Sequence, residues 1–160
     1  MTDKVRVLFV CLGNICRSPT AQGVFQRAVD QAGLDRLVEV DSCGTGSWHV
    51  GKAPDERAIE AARRRGIDIG HLRARQFQPR DLARFDFVLV MDRQNLADVR
   101  EHWQREGGTE PELFLAYAGM EGPLEVPDPY FGGAQGFERV LDLIESASQG
   151  LIASIREQRA

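Results

Sequence analysis

A cysteine and an arginine with five residues between them stand near the N-terminus, between an apolar run and a proline. Residues 5–10 form the apolar run, Cys11 ends it, and Arg17 precedes Ser18-Pro19. Where a strand passes through a tight loop into a helix N-terminus, backbone N–H groups and the helix dipole converge and bind anions. An arginine fork grips phosphate oxygens in a bidentate manner, and the same field favours a nucleophilic thiolate. The pattern predicts phosphoryl transfer through a phosphocysteine, in a phosphate-binding loop made of Leu12, Gly13, Asn14, Ile15, Cys16, Arg17 and Ser18.

These residues also have ordinary structural interpretations. A free cysteine at the end of a core strand is most often a small buried hydrophobe, and Arg17 could be a surface residue of a helix. Ser18 could be a simple helix N-cap. The position between a strand and a helix opened by Pro19 favours catalysis, and Gly13-Asn14 tolerate a left-handed backbone. The pattern alone leaves both interpretations open.

The elements that must position this loop follow from the hydrophobic pattern. Apolar stretches typical of parallel strands buried on both faces predict four strands, at residues 5–10, 37–42, 85–91 and 112–116. Apolar stripes with proline and glycine boundaries predict helices at residues 19–32, 54–65, 79–84, 93–106 and 137–156. This alternation predicts an α/β fold of three layers, a doubly wound four-stranded parallel sheet with helices on both faces. Without repeats or linkers, residues 1–160 are predicted to form a single domain.

Composition and charge restrict the class of protein. The 160 residues are 42% hydrophobic and 28% charged, with a net charge of −4, which predicts a globular protein that binds neither nucleic acid nor membrane. The apolar run at residues 5–10 contains Arg6 and lacks a cleavage site, so it does not resemble a signal peptide. Three cysteines, an odd number, predict reduced thiols and a cytoplasmic location. Because the net charge is negative, any affinity for anions must come from a local group of residues and not from the overall charge.

The sequence resembles the low-molecular-weight protein tyrosine phosphatases over nearly its whole length. The matching segments occur in order along the chain: residues 10–19, Ser42-Cys43-Gly44-Thr45, Trp48, Gly66-Ile67 with residues 71–75, residues 90–92 with Asn95, and residues 126–130. The resemblance implies a strand order of 2-1-3-4. It also implies that Cys11 is the nucleophile, that Arg17 binds phosphate and that Asp128 is the general acid and base. By residue type alone, Asp128 between two prolines would be read as a turn.

The family resemblance implies residues that support the loop, and residue type and position indicate residues that bind the substrate. Asn14, Ser42 and His71 match positions that hold the loop by hydrogen bonds, and Ser18 is the natural hydroxyl donor to the Cys11 sulfur. The predicted substrate pocket, suited to a flat phenol ring, is lined by Leu12, Ile15, Trp48, Tyr130 and Phe131. Phe131 replaces a second tyrosine found in many eukaryotic members. Together with eighteen arginines against two lysines, this indicates a bacterial-type member.

The expected partners are phosphotyrosine-containing proteins, such as a bacterial tyrosine kinase or a capsule-synthesis protein. No cofactor and no metal is expected. Cys16 lies in the same loop as Cys11, so a reversible disulfide between the two under peroxide is a hypothesis, against the alternative that Cys16 merely fills space.

Proteins with similar folds or loops also have other functions. A thiol-linked arsenate reductase shares the fold and the loop but needs further cysteines to pass on a disulfide, and residues 75–91 contain none. A phosphocysteine carrier of sugar transport needs neither the arginine nor the acid. A non-catalytic phosphotyrosine-binding module would have lost Cys11 or Asp128. The sequence therefore favours a hydrolase.

Overall fold

The structure, a computed structural model, describes residues 4–130 and 132–158. One parallel sheet forms its centre, with the strand order β2-β1-β3-β4. The strands are β1 Val5–Cys11, β2 Val38–Gly44, β3 Phe87–Val90 and β4 Glu112–Leu113. The helices are α1 Arg17–Gln31, α2 Glu56–Arg63, α3 Asp81–Arg84, α4 Arg93–Glu106, α5 Phe114–Tyr117 and α6 Ala134–Gln158. The predicted fold class and strand order are confirmed.

β1 is central because both of its faces are apolar. Val7 and Phe9 belong to the larger core, which also contains apolar side chains of α1, α2 and α6. Leu8 and Val10 face the other way, into a smaller core with Val99 of α4. All four β1 side chains are fully buried, as expected for a parallel strand covered by helices on both faces.

The predicted fourth strand, residues 112–116, is wrong in its second half. β4 ends at Leu113, and Phe114 begins the short helix α5. Phe114 and Leu115 are both fully buried in the same core, and the Phe114 ring lies 4.9 Å from that of Phe9. In a strand, successive side chains would point to opposite faces of the sheet. A helical turn lets both enter one core.

Three consecutive arginines, at residues 63–65, follow the predicted apolar stripe of the second helix, and one of them links that helix to α6. α2 ends at Arg63. Arg65 forms ion pairs with three carboxylates of α6, at 2.7 Å to Glu138, 3.0 Å to Asp142 and 3.4 Å to Glu145. Arg65 therefore fastens the turn after α2 to α6.

Three loops meet at the carboxyl edge of the sheet. They are residues 12–16 after β1, residues 45–55 after β2 and residues 118–133 after α5. Ligands of doubly wound sheets bind at this edge. No helix within the described residues is apolar over a length that could cross a bilayer.

Candidate active site

Cys11 lies at the floor of the loop that connects β1 to α1. Its side chain is buried, and its sulfur is 3.0 Å from the hydroxyl of Ser18 and accepts a hydrogen bond of 3.3 Å from the backbone N–H of Asn14. The short strand-loop-helix connection brings both partners to the sulfur. The sulfur therefore lies where a hydroxyl and a backbone N–H both reach it.

Asn14 organises the loop from inside. Its φ of 58° is the only positive φ of a non-glycine residue among those described. Its side-chain amide donates hydrogen bonds of 2.7 Å to Ser18 Oγ and 3.0 Å to Ser42 Oγ, and its side-chain oxygen accepts one of 3.0 Å from the Arg75 backbone N–H. Because Ser18 Oγ accepts from Asn14, its own hydrogen can point to the Cys11 sulfur or to the carbonyl of Cys43, which lies 3.3 Å away. The structure thus places Asn14, Ser18 and Ser42 together as the sequence predicts.

His71 does not join this network, which corrects the prediction made from the resemblance. Its side chain is 68% exposed and lies 3.6 Å from Asp68. Because the neighbouring Leu72 packs against the core, the side chain of His71 points to solvent. The hydrogen bond expected from His71 is supplied by the Arg75 backbone.

Carbonyl groups of the loop are bound by neighbouring backbone. Thr45 and Gly46 donate to the carbonyls of Cys11 and Leu12, each at 2.9 Å, and Asp55 donates to that of Ile15 at 2.8 Å. In a trans peptide the N–H points opposite to the C=O. The N–H groups of these three peptides therefore turn away from the neighbouring chain, as a phosphate site requires.

Gly44, at the end of β2, permits this close contact. A Cβ atom there would lie 2.7 Å from the Leu12 carbonyl oxygen, closer than packing allows. The loop thus rests directly on the backbone of the adjacent strand.

Arg17 is buried and held by acidic and carbonyl oxygens. Its Nη1 is 2.6 Å from Asp92 Oδ2 and donates to the Val126 carbonyl at 3.2 Å, while Nη2 lies 3.7 Å from Asp128 Oδ2. Burial opposes the charge of Arg17, but the negative charges of Cys11 and Asp92 outweigh it and raise the pKa of the guanidinium. Arg17 is a fixed, permanently charged group beside Cys11.

Asp128 lies at the mouth of the same site. Its carboxylate is 41% exposed, and Oδ1 accepts a hydrogen bond of 3.0 Å from the Tyr130 backbone N–H. The bond closes a turn typical of aspartate before proline. The catalytic and the turn interpretations of Asp128 are thus compatible.

A cavity of about 200 Å³ opens above Cys11. Its lining includes Leu12, Ile15, Trp48 and Tyr130, as predicted, together with His49, which was not predicted. Trp48 is 67% exposed and Tyr130 38%, so both stand at the rim. The fifth predicted pocket residue, Phe131, lies outside the described residues.

The other two cysteines are thiols in different settings. Burial, with added repulsion from Asp55, raises the pKa of Cys16 to about 12. Burial also raises the pKa of Cys43, behind the loop. No group of three or more His, Cys, Asp or Glu side chains in the described parts of the chain could hold a metal ion.

Asp92 is a functional candidate that the sequence pattern did not reveal. It caps α4 through Oδ1, which accepts from the Asn95 backbone N–H. Its contact with Arg17 spans 75 residues. Such long-range contacts leave no local pattern in a single sequence.

The fold and this site define a phosphatase that uses a cysteine in a phosphate-binding loop. Over residues 6–160 the sequence matches the family described as low molecular weight phosphotyrosine protein phosphatase. A low molecular weight protein-tyrosine-phosphatase of Streptomyces coelicolor is 46% identical over 156 residues, which cover 96% of this chain and 94% of the relative. The chain belongs to the low molecular weight protein tyrosine phosphatase family, and it is a hydrolase of phosphotyrosine proteins.

Solved structures agree in fold. The crystal structure of YfkJ from Bacillus subtilis matches with a TM-score of 0.92 at 37% identity, covering 99% of this chain and 98% of that one. The structure of a Drosophila arginine phosphatase also matches, with a TM-score of 0.87 at 28% identity, covering 93% of this chain and 96% of that one.

Proposed function

We propose that Cys11, Arg17 and Asp128 carry out the hydrolysis of phosphotyrosine in two steps. The observation that supports this most directly is that all three side chains line one cavity, with Cys11 at its floor and Asp128 at its mouth. Arg17 lies between them, charged and fixed by Asp92. Phosphoryl transfer needs chiefly positioning and stabilisation of charge.

In the first step the Cys11 sulfur attacks phosphorus, and the bond from phosphorus to the tyrosine oxygen breaks. Arg17 and the loop N–H groups hold the phosphoryl oxygens. Asp128, protonated, gives its proton to the departing phenolate. The products are tyrosine and a phosphocysteine on Cys11.

In the second step a water molecule attacks the phosphocysteine. Asp128, now a carboxylate, takes a proton from the water, and the sulfur–phosphorus bond breaks to release inorganic phosphate. The departing thiolate is stabilised by Ser18 and by the Asn14 N–H, which lie 3.0 and 3.3 Å from the sulfur. One carboxyl group thus serves as acid and then as base.

The rim of the cavity supports an aryl substrate. Leu12, Ile15, Trp48 and Tyr130 present mostly apolar surface around the opening, which suits a phenyl ring. A phosphoarginine substrate, suggested by the named activity of the Drosophila neighbour, would bring a guanidinium group with several N–H donors. Asp128 is the only carboxylate among the described residues that line the cavity. The lining of the cavity therefore favours phosphotyrosine over phosphoarginine as the substrate.

An arsenate reductase is disfavoured by the placement of the thiols. Cys11 and Cys16 lie in one loop at the floor of the cavity, and Cys43 is fully buried behind that loop, so no thiol is placed at the surface to pass a disulfide outward. The free thiols also support a reducing, cytoplasmic setting. Within it we propose that the substrate is a phosphorylated bacterial protein, such as a tyrosine kinase or a capsule-synthesis protein, and that residues 1–160 act as one domain.

The test compares leaving groups. Single-turnover phosphorylation is measured with a series of substituted phenyl phosphates, for wild type, Asp128→Ala and the control Glu121→Gln, an exposed residue of the same loop. The phosphorylation rate of Asp128→Ala should be only slightly reduced with 4-nitrophenyl phosphate. With phenyl phosphate it should fall about 10²-fold or more, within the range of general acid catalysis. The control should follow wild type. Parallel leaving-group plots for Asp128→Ala and wild type would refute the assignment.

Two further measurements test the nucleophile and the substrate class. Cys11→Ser should abolish turnover but still bind vanadate, because the loop N–H groups and Arg17 remain. A phosphotyrosine peptide should be hydrolysed at least about tenfold faster than a phosphoarginine peptide of the same sequence. The reason is that guanidinium N–H donors left without a partner in the cavity lower the affinity for phosphoarginine. The reverse preference would refute the tyrosine assignment.

A further inference from the structure

Arg57, in the first turn of α2, reaches across to the loop that carries Asp128. It donates hydrogen bonds of 2.8 Å to the Tyr130 carbonyl and 3.4 Å to the Gly132 carbonyl. Its guanidinium carbon lies 5.4 Å from the centre of the Tyr130 ring and 4.9 Å from that of Phe137. Both distances are typical of cation–π contacts. Arg57 thus contacts two backbone carbonyls and one aromatic ring of the loop, and it also contacts the Phe137 ring of α6.

The other end of this contact is tied to the phosphate-binding loop. Asp55 pairs with Arg57 through both carboxylate oxygens, each at 3.0 Å, and caps α2 by accepting from the Arg57 backbone N–H at 2.8 Å. The Asp55 backbone N–H donates to the Ile15 carbonyl at 2.8 Å. Asp55 and Arg57 therefore connect the loop around Cys11 with the loop around Asp128.

Asp128 lies between two anchored residues. Two positions before it, Val126 is fully buried and donates to the Met91 carbonyl at 2.8 Å. Two positions after it, Tyr130 is held by Arg57. Residues 118–133 contain four glycines and form neither helix nor strand at the described positions, so contacts made by its neighbours hold Asp128 in place. Besides the two anchors, the adjacent Pro129 is buried. Its own contact with Arg17, at 3.7 Å, is long.

We propose that Arg57 is a positioning residue for general acid catalysis, holding the loop so that Asp128 meets the leaving oxygen. The proposal rests on the proposed role of Asp128. Among the described residues that line the catalytic cavity Arg57 is absent, so it acts through the loop and does not touch the substrate. Displacing a catalytic group by about 1 Å can cost up to about 10²-fold in rate.

The test uses Arg57→Ala, Arg57→Lys and the control Arg63→Ala. Arg63 is an exposed arginine of the same helix that pairs with Glu60. Single-turnover phosphorylation by phenyl phosphate should fall about tenfold in Arg57→Ala, and that by 4-nitrophenyl phosphate less than about threefold. Arg57→Lys should be intermediate, because an ammonium can keep one hydrogen bond but not the planar fork. Arg63→Ala should match wild type for both substrates.

A merely structural role would give a different result. Equal losses with both phosphates in Arg57→Ala would overturn the proposal, as would a Lys variant no better than the Ala variant. The melting temperature of each variant checks that all are compared as folded proteins. Arg57 is about half exposed, so we expect small changes in stability.

A double variant separates this proposal from the role of Asp128 itself. If Arg57 acts through Asp128, Arg57→Ala should cost nothing further with phenyl phosphate when Asp128 is already alanine. Full additivity of the two losses would refute the positioning role while Asp128→Ala still showed its leaving-group effect. An Asp128→Ala variant without that effect would instead refute the assignment on which the proposal rests.

Discussion

Arg17 and Asp92 form an ion pair of 2.6 Å between Nη1 and Oδ2, and the second oxygen of the same carboxylate caps α4 by accepting from the Asn95 N–H. One side chain thus fixes both Arg17, which we propose binds phosphate, and the start of a helix. The end of β3 brings Asp92 to this position. The orientation of Arg17 is therefore built into the junction between β3 and α4.

Asp92→Asn should separate the two roles. Asparagine caps a helix about as well as aspartate, so the free energy of unfolding should change little. Loss of the charged partner should lower kcat/KM for aryl phosphates about tenfold, the effect expected for one charge-assisted hydrogen bond. Steady-state kinetics and urea unfolding measure both, with Glu101→Gln on the exposed face of α4 as the control. An unchanged kcat/KM would show that Arg17 is oriented without Asp92.

Asn14→Ala should damage both stability and turnover. Alanine at a φ of 58° is strained by about 1–2 kcal/mol, and Ser18, Ser42 and the Arg75 N–H each lose a partner. We expect a total loss of about 2–4 kcal/mol in urea unfolding and a lower kcat. Ser42→Ala, which removes one hydrogen bond, should have the smaller effect on both. Equal effects of the two variants would contradict the central role of Asn14.

Cys16 should protect the enzyme under oxidation without taking part in turnover. With a pKa of about 12, it is a thiol at neutral pH, so peroxide should first oxidise Cys11 to a sulfenic acid, releasing water. Cys16 would then attack that sulfur, forming a disulfide and a second water molecule, and dithiothreitol would restore both thiols. Wild type should regain most activity after peroxide and dithiothreitol, and Cys16→Ser should regain less. Equal recovery would support the alternative that Cys16 only fills space.

The contribution of Asp55 to stability should depend on pH. Hydrogen bonding to Arg57 outweighs burial and lowers the pKa of Asp55 below its ordinary value of 3.8. A carboxyl group with a lowered pKa in the folded state stabilises the protein above its unfolded-state pKa, and this stabilisation is lost as pH falls through the folded-state pKa. Asp55→Asn, which keeps the helix cap, should therefore be less stable than wild type at pH 7.

Urea unfolding at a series of pH values measures this. The difference between wild type and Asp55→Asn should shrink below pH ~4 and vanish well below the folded-state pKa. The control Asp35→Asn, in an exposed turn, should differ little from wild type at every pH. A pH-independent difference for Asp55→Asn would mean that its charge is not what stabilises the fold.

Much of the site could be predicted because it is local in sequence. Cys11, Asn14 and Ser18 lie within one strand-loop-helix connection, and their contacts follow from its geometry. Ser42 follows because β2 pairs with β1 in parallel, with Phe9 opposite Ser42. Resemblance to a known family supplied Asp128, which residue type alone would have made a turn.

The remaining features depend on packing between distant segments. His71 and Leu72 differ by one position, but only Leu72 packs on the core, and a family motif carried over without spatial information can select the wrong neighbour. Arg57 reaches Tyr130 across 73 residues. Tertiary packing decides the side-chain directions that create such contacts, and the hydrophobic pattern does not contain this information.

The loop that packs on Gly44 is formed only in the folded protein. Inorganic phosphate, the product of the reaction, should therefore stabilise the fold by binding to it. Because the carbonyls are already bound to the backbone beyond β2, the loop N–H groups and the Arg17 side chain are held in the folded protein as a site for an anion. Only the folded chain presents this site. Phosphate or vanadate at about 100 times its dissociation constant would then add ~2.7 kcal/mol to the free energy of unfolding. Thermal stability in a cell would follow the local concentration of the product.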